Sequence, residues 1–126
     1  MSRWILHSNS VFTASHALTL YLGEPEESHE HQWQVAIQVG TDQLNAEGYA
    51  LDFHQVHALL AEATGPLDGT DLNQHPVIGK PSPTAERVAE VLAEYLGPRC
   101  AEIGGKLLMV SVWEGPENRV DLVVAD

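Results

Sequence analysis

The stretch His29-Glu30-His31-Gln32-Trp33-Gln34-Val35-Ala36-Ile37-Gln38-Val39-Gly40 decides how the rest of the chain is read. Trp33, Val35, Ile37 and Val39 alternate with Gln32, Gln34, Ala36 and Gln38. This is the period-2 pattern of a strand with one buried face, and it predicts a strand over residues 31–40. His29 and His31 share the parity of the apolar set. Successive side chains on a strand point to opposite faces, so both imidazoles are expected on one side.

Upstream, Trp4-Ile5-Leu6 and Val11-Phe12 read as pieces of a first strand over residues 3–12, with His16 at its end. Residues 17–28 read as a loop. The acidic run Glu24-Pro25-Glu26-Glu27 closes it, and the proline is incompatible with a clean ladder. Pairing the two strands as a hairpin brings His16 towards His29 and His31. Three neutral imidazoles with a fourth position open suit a catalytic zinc ion, which needs nitrogen donors and no particular ligand field. A His-x-His pair taken alone is more often a surface or hydrogen-bonded pair, so spacing does not decide the matter. His7, His54, His57 and His75 read as ordinary histidines.

Downstream, a turn is expected around Asn45-Ala46-Glu47-Gly48. Asp52 has the character of a helix N-cap, with Gln55 three residues on. Phe53, Val56, Leu60, Ala63 and Leu67 give that helix an apolar face, and Gly65-Pro66 stops it. A loop is expected over residues 68–81. Ser82-Pro83-Thr84 opens a second helix with the apolar face Ala85, Val88, Ala89, Leu92 and Leu96, ending at Gly97-Pro98. Strands are expected over 106–114 and 119–125, joined by a turn at 115–118. The order ββααββ predicts a single α+β domain over residues 1–126. It has a four-stranded antiparallel sheet and two helices on one face. Such a sheet leaves open edges, which proteins cover, charge or pair with another subunit.

Composition narrows the function classes. The chain carries 18 acidic residues against 6 Lys and Arg, for a formal charge of -12. No basic stripe exists for nucleic acid, and no polybasic patch for an anionic membrane. Cys100 is the single cysteine, so no intramolecular disulfide forms. Trp4-Ile5-Leu6 is far too short for a signal-peptide core. A cytoplasmic protein is the expectation.

Several segments resemble, in order, those of the family of 6-pyruvoyl-tetrahydropterin synthase and its bacterial relative 6-carboxy-tetrahydropterin synthase. They are Phe12-Thr13-Ala14-Ser15-His16-Ala17-Leu18, His29-Glu30-His31-Gln32-Trp33 and Gly48-Tyr49-Ala50-Leu51-Asp52-Phe53. The others are Leu67-Asp68-Gly69-Thr70-Asp71-Leu72-Asn73, Pro83-Thr84-Ala85-Glu86 and Val112-Trp113-Glu114. The resemblance implies a tunnelling fold (T-fold) in which sheets join edge to edge in trimers and two trimers stack. It implies an active site at a subunit interface, with Zn2+ on His16, His29 and His31. Glu114 matches the glutamate that anchors the pterin ring, and Thr84 falls where it can line the pocket. The implied partner is a small pterin substrate, and the implied assembly a homo-oligomer.

The chain also departs from the family pattern. Pro25 stands where the family carries its catalytic cysteine, Gly69 where it carries a histidine after Asp68, and Thr70 where a basic residue is frequent. Some members use a glutamate in place of the cysteine. Glu24 and Glu26 flank Pro25, and Glu26 is the choice for general base, with Asp68 as a second proton-transfer group. The expected activity is that of a zinc-dependent lyase or synthase acting on the side chain of a dihydroneopterin-type pterin. The alternative is a non-catalytic relative that keeps the zinc and pterin sites. A third reading, outside the family, is an acidic α+β protein with incidental histidines.

Overall fold

The computed structural model describes residues 2–19 and 21–126. Met1, part of the expected domain, and Leu20, part of the expected 17–28 loop, lie outside the described residues. The elements run β1 (Trp4–His16), β2 (His29–Thr41), α1 (Phe53–Thr64), β3 (Thr70–Asp71), α2 (Ala85–Glu102), β4 (Lys106–Glu114) and β5 (Asn118–Val123).

The long hairpin of β1 and β2 organises everything else. It pairs antiparallel in continuous register from Trp4↔Thr41 to His16↔His29. β4 pairs antiparallel with β2, from Trp33↔Glu114 to Gly40↔Lys106, and β5 pairs antiparallel with β4. β3 lies parallel to the outer edge of β1 at Ala14↔Thr70 and Ser15↔Asp71. The sheet therefore has five strands in the order β3-β1-β2-β4-β5 and is mixed. This corrects the expectation of four antiparallel strands. A two-residue strand is too short to show a hydrophobic period, so nothing in residues 68–81 announces it.

One face of the sheet is covered by both helices. Trp33, Val35, Ile37 and Val39 of β2 and Val110 and Val112 of β4 are completely buried there. They meet Val56 and Leu60 of α1 and Val88, Ala89, Leu92 and Leu96 of α2, all within 1% of full burial. Each fully buried side chain of this size contributes roughly 1.5–3 kcal/mol of transfer free energy. The other face is polar along β2 and carries Val11 at its surface. Alternation in β2 thus predicted the two faces and their occupants.

Two helix boundaries differ from expectation. Asp52 does cap α1, its carboxylate accepting from the His54 amide at 2.8 Å. Phe53, however, is 66% exposed, and Leu67 is buried in a short 3-10 turn over Gly65–Leu67 rather than in the helix. The second helix does not stop at Gly97-Pro98 but continues to Glu102. Proline inside a helix costs roughly 3 kcal/mol. Here Leu96 and Cys100 are both fully buried and extend the same apolar stripe across the proline. Tertiary packing overrides the local breaker. Burial also pushes the Cys100 thiol up from its ordinary pKa. Among the described residues, no helix is long and apolar enough to cross a membrane.

Candidate metal centre

At the end of the β1–β2 hairpin the buried face changes from apolar to polar. His16 and His29 are cross-strand partners, and His31 lies opposite Ala14. The small alanine leaves the space that the third ring fills. The rings pack edge to face, with centroids 4.7 Å apart for His16–His29, 4.4 Å for His29–His31 and 5.3 Å for His16–His31. Below them lies Trp33, whose indole N–H donates to the Ala14 carbonyl at 3.2 Å and whose ring stands edge-on to His16 at 4.9 Å. Trp33 in turn stacks on Phe12. The imidazoles thus rest on a packed aromatic floor.

Backbone carbonyls set the direction of two rings. Nδ1 of His16 is 2.9 Å from the Pro83 carbonyl, and Nδ1 of His29 is 3.0 Å from the Glu27 carbonyl. A carbonyl only accepts, so each Nδ1 carries the proton and donates. Nε2 then holds the free lone pair, the arrangement that orients a metal-binding histidine. Nε2 of His16 and of His31 are buried and have no hydrogen-bond partner. Buried polar atoms are rarely left so, and two within one cluster call for a partner, which a cation could supply.

Glu114, the last residue of β4, joins this cluster. Its Oε1 is 2.8 Å from His16 Nε2, 3.4 Å from His31 Nε2 and 4.0 Å from His29 Nε2. With the ring proton on Nδ1 committed to the Pro83 carbonyl, His16 Nε2 has no hydrogen to offer this carboxylate and remains unpaired. One donor atom from each of the four residues lies within 4.8 Å of the others. For a tetrahedral ion bound at 2.0–2.1 Å, donor atoms stand about 3.4 Å apart. The donor set of three imidazoles and a carboxylate therefore fits zinc in both chemistry and scale. Desolvation by burial lowers the pKa of His31, with the charge of His29 acting the same way and that of Glu114 opposing it. A lowered pKa keeps the ring neutral and its lone pair available.

The remaining residues singled out from sequence fall around this centre. Glu26 is half-buried, accepts from the Leu18 amide at 3.0 Å, and its charge also acts on His31. Glu24 is exposed, its backbone paired with Tyr21. Asp68 is exposed and accepts from the Thr13 amide at 2.9 Å on the outer edge of β1, outside the ligand cluster. Thr84 caps α2, its hydroxyl accepting from the Arg87 amide at 3.2 Å. It thereby holds the segment whose Pro83 carbonyl orients His16. His54 and His57, read from sequence as ordinary histidines, are both exposed. His57 Nδ1 makes a part-buried hydrogen bond of 3.1 Å with Ser8 Oγ.

Sequence reasoning missed the supports. Asn73 bonds Ala17 twice, its Oδ1 accepting from the amide and its Nδ2 donating to the carbonyl, both at 2.8 Å. It acts as a substitute strand partner just past His16, where β1 has run out of ladder. The Pro83 and Glu27 carbonyls were also unseen. A backbone acceptor has no residue type to read, whereas Asn73 was visible as part of a motif without a role.

The fold and the site invite comparison with known proteins. A sequence profile described as 6-pyruvoyl tetrahydropterin synthase matches residues 5–123. Comparison with curated proteins finds no match. Among solved structures, the Caenorhabditis elegans 6-pyruvoyl tetrahydropterin synthase superposes with a TM-score of 0.76 at 17% identity, with 99% of each chain covered. The Plasmodium falciparum enzyme of that name gives 0.77 at 15% identity over 100% of each chain. A Plasmodium vivax 6-pyruvoyltetrahydropterin synthase, in a variant that changes a glutamate described as a catalytic residue to alanine, gives 0.73 at 14% identity, covering 98% of this chain and 99% of that one. At such identities the structures establish a shared fold. The sequence profile spans nearly all of the chain, and on that match the chain belongs to the 6-pyruvoyl tetrahydropterin synthase family.

Proposed function

We propose that this chain is a zinc-dependent lyase or synthase acting on the side chain of a dihydroneopterin-type pterin. The observation that carries the proposal is the convergence of three imidazole Nε2 atoms, two of them buried and unpaired, on one point. His16, His29 and His31 hold the metal. Zinc, when bound there, supplies a Lewis acid that polarises oxygen groups of the pterin side chain. Glu114 offers its carboxylate to the ring, whose neighbouring N–H groups match two carboxylate oxygens. Thr84 lines the same pocket beside Pro83.

Glu26 is the proton acceptor in this reading. It is half-buried, tethered by the Leu18 amide and near enough for its charge to act on His31. The P. vivax enzyme, with a glutamate described as a catalytic residue, supports a carboxylate in that role. Asp68 assists proton transfer from an adjoining copy. Its carboxylate sits on the outer edge of β1, which β3 covers only at Ala14 and Ser15, so a second sheet can pair alongside it. An assembly of copies joined at their edges, a trimer or a stacked pair of trimers, also accounts for the uncovered outer edge of β5.

A second reading has its own support. Pro25 and Gly69 replace a cysteine and a histidine expected in proton transfer. A non-catalytic protein that keeps zinc and binds pterin would lack them in the same way. Incubation of the zinc-loaded protein with 7,8-dihydroneopterin, and separately with its triphosphate, followed by product chromatography, decides between the two. Turnover of either supports the enzyme; pterin binding without product supports the second reading. We expect the triphosphate to be the poorer ligand. Glu24, Glu26, Glu27 and Glu30 crowd the approach to His29 with no Lys or Arg among them. Each close carboxylate–phosphate pair costs on the order of 1 kcal/mol near a surface. Micromolar triphosphate binding by calorimetry would refute that preference.

A further inference from the structure

We infer that Arg87 is a positioning residue for the metal centre: it fixes the path of residues 77–84, and with it the Pro83 carbonyl that turns His16. The inference rests on the zinc centre proposed above and adds the group that holds its most buried ligand in place. His16 is 1% exposed, and the direction of its ring is set by the bond from Nδ1 to the Pro83 carbonyl at 2.9 Å. Residues 75–84 lie between a 3-10 turn over Leu72–Gln74 and the start of α2, and belong to neither. No ladder or helix bond fixes the direction of a carbonyl in such a stretch. It points where the ties on either side of it make it point.

Arg87 gathers this stretch onto the first turn of α2. Its Nε donates to the Lys80 carbonyl and its Nη2 to the Val77 carbonyl, both at 3.2 Å. Its Nη1 donates to Glu90 at 2.7 Å, three residues on, which keeps the guanidinium plane turned to the stretch. A planar fork with donors in fixed directions suits two carbonyls that have to stay a set distance apart, whereas a lysine ammonium is a single point on a flexible stem. The main chain of the same residue adds a third tie, its amide donating to the Thr84 hydroxyl at 3.2 Å. Arg87 therefore bonds to both sides of Pro83, at Lys80 and at Thr84. Thr19 also binds the stretch, its amide to Ser82 Oγ and its hydroxyl to the Pro81 carbonyl, both at 3.1 Å. Those bonds join it to the loop that follows His16. Arg87 joins it to α2, which Val88, Ala89 and Leu92 fix against the sheet by full burial. His29 takes its direction from the Glu27 carbonyl, in a separate loop, and so serves as an internal control.

Nuclear magnetic resonance of the metal-free protein provides the test, at a mildly alkaline pH where ordinary imidazole is neutral. Nitrogen-15 shifts of the two ring nitrogens, read through the carbon-bound ring protons, tell the Nδ1–H form from the Nε2–H form. His16→Ala and His29→Ala assign the signals, and zinc affinity is measured in parallel against a competing chelator. We expect His16 of wild type to hold its proton on Nδ1. In Arg87→Ala its shifts should move towards a mixture of the two forms while those of His29 stay. Zinc should bind about 10-fold more weakly, the low end of the range for groups behind the ligands. A wild-type His16 with its proton on Nε2 overturns the inference, as do unchanged His16 shifts or unchanged zinc affinity in the variant. Equal disturbance of His16 and His29 also overturns it, because general loosening of the fold moves both. Arg87→Lys keeps the charge without the fork, and wild-type behaviour in both readings would assign the effect to charge and reject the clamp. Wild type that binds no zinc removes the metal centre and the role of Arg87 together, whatever the ring shifts show. Should Arg87→Ala fail to fold, Arg87→Lys decides by the same two readings, with changes in the same direction expected.

Discussion

The face of the sheet that meets the helices has two regions of opposite character on the same strands. From Val39 to Trp33, β2 buries four side chains whose needs are met within the chain, by apolar contact and by the indole hydrogen bond to Ala14. Two residues further along the same face come His31 and then His29, which with His16 and Glu114 bring unpaired acceptors together. The apolar region is complete within the chain. The polar region is not, because lone pairs pointed at one another lower their energy only when something positive joins them. Continuity of the ladder makes the two possible side by side. The rigid apolar half holds the strands in register, and the register aims the imidazoles.

The sharpest way to break this contrast is to remove a ligand. His16→Ala should lower zinc affinity by more than the roughly 10–100-fold that changes outside the ligand shell produce, with far-ultraviolet circular dichroism unchanged. Stoichiometric zinc retained by this variant, measured by atomic emission, would mean that the polar region is not a metal centre. Glu26→Gln tests whether a neighbour of the cluster handles protons without holding the ion. Turnover of dihydroneopterin should fall by about 10²–10⁴-fold while zinc content stays the same. Unchanged turnover takes Glu26 out of the mechanism.

Ile37→Ala probes the complete half. Ile37 is fully buried, and its truncation should cost about 2–5 kcal/mol in chemical denaturation. Zinc affinity of the folded fraction should hold within a few-fold. A large loss of zinc affinity would show that the two halves are not separable. Asn73→Ala is expected to have the smallest effect. Losing both bonds to Ala17 should cost about 1–3 kcal/mol and weaken zinc several-fold through freedom gained by His16. If Asn73→Asp restores the affinity fully, the amide donor to the Ala17 carbonyl is not what holds the segment.

Much of this was legible before any coordinates. Alternation in residues 31–40 foretold a half-buried strand and put His29 and His31 on its inner side. The apolar stripes of both helices were readable, as was the Asp52 cap. Other features were hidden for identifiable reasons. The first strand runs to His16 rather than residue 12 because pairing with β2 carries it through Thr13-Ala14-Ser15, a segment of weak strand character. The second helix passes Pro98 because Leu96 and Cys100 bury together. Both are cases where contacts distant in sequence outweigh local preference.

The residue types alone determined which groups would be available: nitrogen donors at His16, His29 and His31, carboxylates at Glu26, Asp68 and Glu114, and a period-2 strand to carry two of the donors. Three-dimensional structure decided which of these meet. Glu114 stands 83 positions from His31 in the sequence and reaches it only because β4 pairs with β2 at Trp33. The acceptors that turn His16 and His29 belong to backbone carbonyls, which every residue possesses and whose direction follows from the path of the chain. A sequence spells out side-chain chemistry, but the meeting of lone pairs depends on strand register and backbone direction, and those exist only once the chain has folded.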